Sequence, residues 1–517
     1  MLALCHVAAA SAATSDAPSH DADAQPLPRT HAASNVHTAR KAHASPKTNA
    51  AAPARPAPPS PSSPTIDCAS LLGKSFYNVA IGEATHIPAS EWLPGYCRVR
   101  GTEAGTQHDL EVRLPDAWRE RYVQRGGGGF DGVIPPVGAT NVALSAGAVQ
   151  GANNGGHRDP TGAALLNDAR AVERYAHQAI LIATRFGKAV TQAYYGHAAR
   201  YSYYEGCSNG GRGALNAAAK YGSEFNGVIA AAPTRNLTGQ IAAWTRATTL
   251  SMPTREQFAQ IHAAAVAKCD ALDGLADGII SDWQACDFDV RRDVPASVGL
   301  TPEQTAAVET LMQDLQTVDG RTLYSGYGLG DLGLGAPAFG LFGVGQMRSI
   351  VLNDAEWWPR NFDVDAYLPR IAHVVDAQYQ FSAAAADLVE YLRQGGKIIV
   401  WQGADDGLLS HRDTIRTWQE VTQAAGSELS AQSTRLYIAG GVNHCAGGDG
   451  ADTIDMLTPM MSWVEEAQAP GTLTAAKLDA PNDMPRFTRP LCVYPGYPRY
   501  KGSGDVNSAA SFECAMP

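Results

Sequence analysis

The chain has 517 residues, 45% of them apolar, with 40 basic against 51 acidic side chains and a formal net charge of -11. Such a length allows two or three domains, or one large domain carrying an insertion, around a sizeable buried core. The acidic balance offers no basic patch to neutralise phosphates and argues against nucleic acid as a partner, and no run of 18 apolar residues is present to span a membrane.

The first 64 residues differ from the rest. "MLALCHVAAASAATSDA" is a short apolar stretch ending in small residues. It reads as the remnant of a secretory signal with cleavage around Ala10 to Ala13, although no Lys or Arg precedes it. The following segment is rich in Ala, Pro, Ser and His and nearly free of large apolar residues. It cannot bury enough surface to fold and reads as a flexible tether, its histidines solvated rather than metal-bound. A secreted or periplasmic protein is expected.

Nine cysteines fit that compartment. Cys5 belongs to the leader. The other eight suggest four disulfides, for which sequence alone permits on the order of a hundred pairings. Local spacing favours Cys68–Cys97, Cys269–Cys286 and Cys492–Cys514, leaving Cys207 and Cys445 as a long-range pair or as two buried free thiols. No CxxC zinc pattern exists.

The catalytic pattern begins at "YVQRGGGGFDG", a predicted strand followed by Gly126 to Gly129. Such a loop lets backbone N–H groups face a substrate oxygen. No Gly-Lys-Ser/Thr follows, so it is not a P-loop. "RYSYYE" is aromatic and β-prone, and "GRGALNAAAKYG" is an Ala-rich helix predicted to stop at Gly222. Between them Gly206 to Gly210 reads G-x-S-x-G. Strand, tight turn and helix are the context of a nucleophile elbow, with Ser208 as nucleophile and the Asn209 N–H as an oxyanion donor.

"CDALDGLADGIISD" follows. Asp270, Asp273 and Asp277 on one curled loop repel one another unless a cation sits among them, and oxygen-only ligands suit Ca²⁺; the spacing is not that of an EF-hand.

A serine hydroxyl needs a base, and the base needs an orienting acid, which in this fold follow the serine in the order acid, then histidine. "GGKIIVWQGADDGLLS" supplies a strand at Lys397 to Trp401 with Asp405 and Asp406 in the loop after it. "TRLYIAGGVNHCAGG" supplies another at Arg435 to Ala439, followed by His444. If Ser208 and His444 meet, their neighbours Cys207 and Cys445 meet too. About 200 residues separate the serine from the acid, whereas one βα unit needs only about 30. The segment 237–381 is therefore read as an inserted lid over the site. Its stretch "GYGLGDLGLGAPAFGLFGVGQ" looks mobile. Phe339 and Phe342 within it suit either a pocket for an aromatic acid or ordinary core packing.

The segments "GGGGFDG", "GCSNGGR", "NGVIAAAP", "CDALDGLADGII", "FDVDAYL", "GGKIIVWQGADDGLLS", "GVNHCAGG" and "RPLCVYPGYPRYKGSGD" together resemble the tannase and feruloyl esterase family, from about Cys68 to Cys514. The resemblance implies an α/β class of fold: an α/β-hydrolase core (65–236 and 382–517), a large inserted lid domain with the calcium loop (237–381), and the leader and linker (1–64) ahead of both. It implies a carboxylic ester hydrolase with the triad Ser208, Asp406 and His444, Asp405 being a decoy. The oxyanion donors carry over to Gly129 and Asn209, and the bridge to Cys207–Cys445. A structural Ca²⁺ carries over to Asp270, Asp273 and Asp277, with backbone oxygens of Leu275 and Ile279. Substrate contacts fall on Leu237, Gln402 and Leu409. Family members acting on terephthalate half-esters use a lid arginine and a lid tryptophan, which the glycine-rich stretch lacks; Arg348 is the nearest arginine. The expected partner is thus a small phenolic ester such as a ferulate or gallate, with a terephthalate half-ester as the alternative. A serine peptidase and a non-catalytic binding protein are the rival classes.

Overall fold

The computed structural model describes residues 60–138, 141–481 and 483–517. The leader, Cys5 and the tether up to residue 59 lie outside the described residues. A ten-stranded sheet organises the molecule. Its strands are β1 (Ser75–Phe76), β2 (Val79–Ile87), β3 (Tyr96–Glu103), β4 (Asp109–Pro115), β5 (Arg121–Arg125), β6 (Ala148–Asn153), β7 (Tyr201–Cys207), β8 (Gly227–Ala231), β9 (Lys397–Gly403) and β10 (Thr434–Ala439). Their spatial order is β1-β2-β3-β4-β6-β5-β7-β8-β9-β10. The strands from β1 to β4, and β4 against β6, pair antiparallel, and from β6 onward every pair is parallel.

The two halves obey different sequence rules. In β3 the buried Cys97, Val99 and Gly101 alternate with the more exposed Arg98, Arg100 and Thr102, as one covered face requires. In β8 and β9, "GVIAA" and "IIVWQG" are buried throughout, because parallel strands joined by crossovers are covered on both sides. Successive side chains point to opposite faces. Val228, Ala230, Ile398 and Val400 therefore meet Ala214, Leu215 and Ala218 of the helix Asn209–Tyr221 on one face. Ile229, Ile399 and Trp401 meet Tyr437, Met460 and Trp463 on the other.

The insertion lies between β8 and β9. It contains the helices Leu237–Ala247, Arg255–Cys269 and Pro302–Met312, and a small ribbon of Leu315–Gln316 with Thr322–Tyr324. Its apolar side chains, among them Ile241, Trp244, Phe258, Val308, Phe339 and Met347, form one cluster with Phe130, Tyr175 and Leu409 of the core. A shared core of this kind fastens the insertion to the sheet. The glycine-rich stretch opens with non-helical residues 326–331 and then enters a helical run, Leu332–Ala338 followed by the π-helical turns Phe339–Val344 and Met347–Leu352. Its glycines serve close packing: a Cβ on Gly335 would lie 1.9 Å from the Gly407 carbonyl oxygen, and one on Gly343 2.8 Å from the Trp244 Cβ.

The three pairs favoured by local spacing form, Cys68–Cys97, Cys269–Cys286 and Cys492–Cys514, and the remaining Cys207 and Cys445 are joined in a long-range bridge rather than left as free thiols. No helix among the described residues is long and apolar enough to cross a membrane.

Candidate active site

Strand β7 ends at Cys207 and the next helix begins at Asn209, so Ser208 alone makes the turn. Its φ of 62° and ψ of -122° lie outside the regions an L-residue adopts freely. Such a conformation costs on the order of 1–3 kcal/mol and persists only where the surroundings enforce it. The surroundings are crowded. A Cβ on Gly206 would sit 2.6 Å from the Gly210 carbonyl, and a Cβ on Gly210 would sit 2.6 Å from the Gly127 oxygen. Glycine at both positions is a steric requirement of the elbow.

The acid and base follow β9 and β10, the two strands that lie beyond β8 in the sheet. His444 follows β10, and its Nδ1 lies 2.8 Å from Asp406 Oδ2 in the loop after β9. Asp406 is 2% exposed. Its Oδ1 accepts the backbone N–H groups of Leu408 at 2.9 Å and Leu409 at 2.8 Å, and its Oδ2 also accepts the Gln402 amide at 3.1 Å. With Nδ1 occupied, Nε2 is the imidazole nitrogen left for other work. The neighbouring Asp405 points elsewhere: its Oδ2 lies 3.7 Å from His262 Nε2, and burial pushes its carboxyl up to about 6. Asp406 is the acid that meets the histidine, and Asp405 does not. The bridge from Cys207 to Cys445 joins the residue before Ser208 to the residue after His444.

A narrow cleft lies at Ser208, lined by Gly129, Tyr175, Asn209, Arg212, Thr234, Leu237, Gln240, Trp244, Phe342, Gln346 and Leu408. Gly129 has a φ of +58°, and a Cβ there would sit 3.2 Å from the Phe342 ring. The Tyr175 hydroxyl donates to its carbonyl at 2.8 Å, which steadies this end of the glycine loop. Gly129 and Asn209, the two expected oxyanion donors, thus share one cleft with Ser208.

Of the three residues expected against substrate, Leu237 lines the cleft and the other two stand behind the acid. Gln402 is fully buried, donates to Asp406 and to the Leu409 carbonyl at 2.7 Å, and accepts from Thr414 at 2.5 Å. Leu409 gives its N–H to Asp406. Both therefore orient the carboxylate, and Leu408 takes the place in the cleft wall. The two phenylalanines also separate. Phe342 lines the cleft, whereas Phe339 is buried in the lid core with its ring 5.6 Å from that of Tyr327 and 6.3 Å from that of Trp244. Arg348 donates to the Trp357 carbonyl at 2.7 Å and lies over the Trp358 ring, and it does not line the cleft.

Sequence reasoning missed Trp244, Gln240, Gln346, Arg212 and Asp131. One signal was available: Leu237, Gln240 and Trp244 are spaced three and four apart, one face of a helix. Arg212 lies in the wall with most of its donors engaged. Its Nε donates to Asn209 Oδ1 at 2.7 Å, and its terminal nitrogens donate to the carbonyls of Ala176, Phe381 and Tyr175. Asn209 in turn donates to Asp131 Oδ2 at 3.0 Å. Burial pushes the Asp131 carboxyl up to about 7, against the pull of Arg212 and the Asn209 amide. This chain of contacts fixes the residue that follows the serine.

The loop 270–279 lies apart from the cleft. Asp270 accepts the N–H groups of Asp277, Gly278 and Ile279 at 3.1, 2.9 and 3.2 Å. Asp273 accepts that of Leu275 at 3.0 Å, and Arg489 pairs with Asp277. Burial, with Asp277 and Asp270 adding to it, pushes the Asp273 carboxyl up to about 6. All donors are oxygens, which suits a hard cation. Among the described residues no three His, Cys, Asp or Glu side chains converge as a metal-holding group, so the backbone oxygens of Leu275 and Ile279 would have to complete any shell.

Comparison with known proteins agrees with this geometry. The family model for "Tannase and feruloyl esterase" matches residues 97–345 and 359–515. A probable feruloyl esterase of Arthroderma benhamiae is 34% identical over 447 residues, covering 78% of this chain and 81% of its own. A mono(2-hydroxyethyl) terephthalate hydrolase of Piscinibacter sakaiensis is 29% identical over 520 residues, covering 82% and 85%. The crystal structure of feruloyl esterase B from Aspergillus oryzae superposes with a TM-score of 0.77 at 24% identity, covering 87% of this chain and 99% of that one, and the shared fold is that of the α/β hydrolases. The mixed sheet, the elbow at Ser208, the Asp406–His444 pair and a family match over most of its length establish that this chain belongs to the tannase and feruloyl esterase family.

Proposed function

We propose that this carboxylic ester hydrolase cleaves esters of hydroxycinnamate- or gallate-type acids through a serine-bound acyl-enzyme. The observation that carries the reading is the Asp406–His444 contact of 2.8 Å, tied through the Cys445–Cys207 bridge to the elbow that presents Ser208. His444 Nε2 takes the Ser208 proton as Oγ attacks the ester carbonyl. The negative oxygen that develops is met by the N–H groups of Gly129 and Asn209. His444 then gives its proton to the departing alcohol oxygen. A water, deprotonated by the same nitrogen, attacks the acyl-enzyme; Ser208 regains its proton and the aromatic acid leaves. Asp406 holds the imidazole throughout and stabilises its charged form.

Trp244, Phe342 and Leu237 supply a wall that favours a flat ring by burial. Arg212 gives most of its donors to Asn209 and to backbone carbonyls and Arg348 lies outside the lining, so a free carboxylate on the ring meets no arginine able to clasp it with two parallel bonds. A panel of kcat/KM values tests this. Methyl ferulate and methyl gallate are expected to exceed both the terephthalate half-ester and a medium-chain aliphatic ester. A clear win for the half-ester would bring a cation into the cleft, and a win for the aliphatic ester would overturn the aromatic assignment. Four disulfides support export to an oxidising compartment.

The loop 270–279 is proposed to hold a structural Ca²⁺ through Asp270, Asp273 and Asp277 with the Leu275 and Ile279 carbonyls. Oxygen ligands alone, carried by one short loop that Cys269–Cys286 closes, support it. A ligand bound only by the folded state stabilises it by about 2.7 kcal/mol at a hundredfold excess over Kd. Chelation should therefore lower Tm by several degrees, with recovery on adding Ca²⁺ but not Mg²⁺. An unchanged Tm in demonstrably metal-free protein would remove the site.

A further inference from the structure

Besides Asn209, whose amide is engaged by Arg212 and Asp131, two side-chain amides, Gln240 and Gln346, stand in the wall beside Ser208 among Tyr175, Leu237, Trp244, Phe342 and Leu408. Gln346 is 5% exposed, and its Oε1 is buried without a hydrogen-bond partner. Buried amide oxygens are nearly always paired, because leaving water without a replacement bond is costly. An unpaired one on the wall of a substrate cleft is an unused polar group where a ligand is to lie. The two ends of an amide are exchangeable by rotation, but a hydroxyl both donates and accepts and satisfies either end.

Local backbone supports the same role. Gln346 falls between the π-helical turns Phe339–Val344 and Met347–Leu352, a wide helical geometry that is frequent at functional sites. It stands four residues after Phe342, so the two share a helix face, and both line the cleft. Phe342 packs against Trp244, ring centroids 5.8 Å apart, and borders Gly129, where a Cβ would sit 3.2 Å from its ring. A ring running along Phe342 from the oxyanion corner therefore carries its substituents toward Gln346.

We propose that Gln346 reads a ring hydroxyl of the acid half of the ester, and so selects phenolic over unsubstituted aromatic acids. This rests on the esterase reading above and names the residue that sets its specificity. A polar group left unpaired by the wrong substrate discriminates far more strongly than an apolar wall does.

The test compares methyl 4-hydroxycinnamate with methyl cinnamate. Wild-type protein is expected to favour the hydroxylated ester in kcat/KM by about 10- to 100-fold. Gln346→Leu, which keeps the volume and removes the polar group, should bring that ratio to near one or below. Each ratio is taken within one preparation, so partial unfolding cannot imitate the change, and the electronic effect of the hydroxyl cancels between variants. Gln240→Leu should keep most of the wild-type preference. An unchanged ratio in Gln346→Leu, or a loss confined to Gln240→Leu, overturns the proposal. Binding of free 4-hydroxycinnamate and cinnamate to Ser208→Ala protein, with and without Gln346→Leu, gives a readout that needs no chemistry. If the wild type hydrolyses neither ester, the esterase reading fails; equal affinities for the two acids would sink the Gln346 assignment separately.

Discussion

Ser208→Ala is expected to lower kcat on methyl ferulate by about 10⁴- to 10⁶-fold while changing KM little. The oxygen that forms the acyl-enzyme is lost, and the machinery around it stays. Gly206 and Gly210 still allow the turn, Asp406 still orients His444, and Gly129 and Asn209 still line the cleft. Residual activity then measures what those donors achieve with water alone. Stability should remain near wild type, since the substitution removes one oxygen and keeps the Cβ. A chromogenic aromatic ester should also give a burst of alcohol release in the wild type and none in the variant. Native-rate turnover by verified Ser208→Ala protein would sink the serine mechanism.

Replacing both Cys207 and Cys445 by Ala should have the next largest effect, of two kinds. The bridge spans a sequence separation of 238, and a crosslink closing so long a loop is worth about 5 kcal/mol in the chain-entropy account. Tm should fall accordingly. At temperatures where the variant is still folded, kcat should also fall, by about 10²-fold, because an error of 1 Å in placing a reacting group costs that much. Cys445 has a φ of 66°, so the loop after the histidine is in a conformation that its surroundings must hold. Cys68–Cys97, at a separation of 29 on the β3 side of the sheet, is the comparison. Its removal should lower Tm and leave kcat intact. Equal falls in kcat for the two variants would reduce the Cys207–Cys445 bridge to a general stabiliser.

These effects differ in how far the chain itself announces them. The elbow was legible because its signals are local: an aromatic strand, two required glycines and an Ala-rich helix within about 20 residues. The order of acid and base followed from two apolar strands, each with a polar loop after it, and the four disulfides followed from spacing and adjacency. Asp405 and Asp406 could not be separated by pattern, since adjacent residues in one loop differ only in the direction they point. The family resemblance implied Asp406, and the backbone N–H groups of Leu408 and Leu409 on its carboxylate are the physical reason. Gln402 and Leu409 were expected against substrate and instead brace that carboxylate.

What the amino-acid sequence determined by itself was the alternation and continuity of the strands, the strained serine turn, the insertion between β8 and β9, and the cysteine pairs favoured by spacing. Each rests on residues near one another in the chain, or on a periodicity that elementary geometry imposes. Tertiary structure alone decided the walls of the cleft. Gly129, Leu237 and Phe342 come together from segments more than 90 residues apart, and no periodicity relates them. It also decided that Phe342 lines the cleft while Phe339 packs in the core, that Arg212 gives most of its donors to carbonyls and Asn209, and that Gln346 keeps a buried oxygen unpaired. A side chain's chemistry is written in the sequence, but whether its polar atoms are already satisfied depends on which distant backbone arrives beside it.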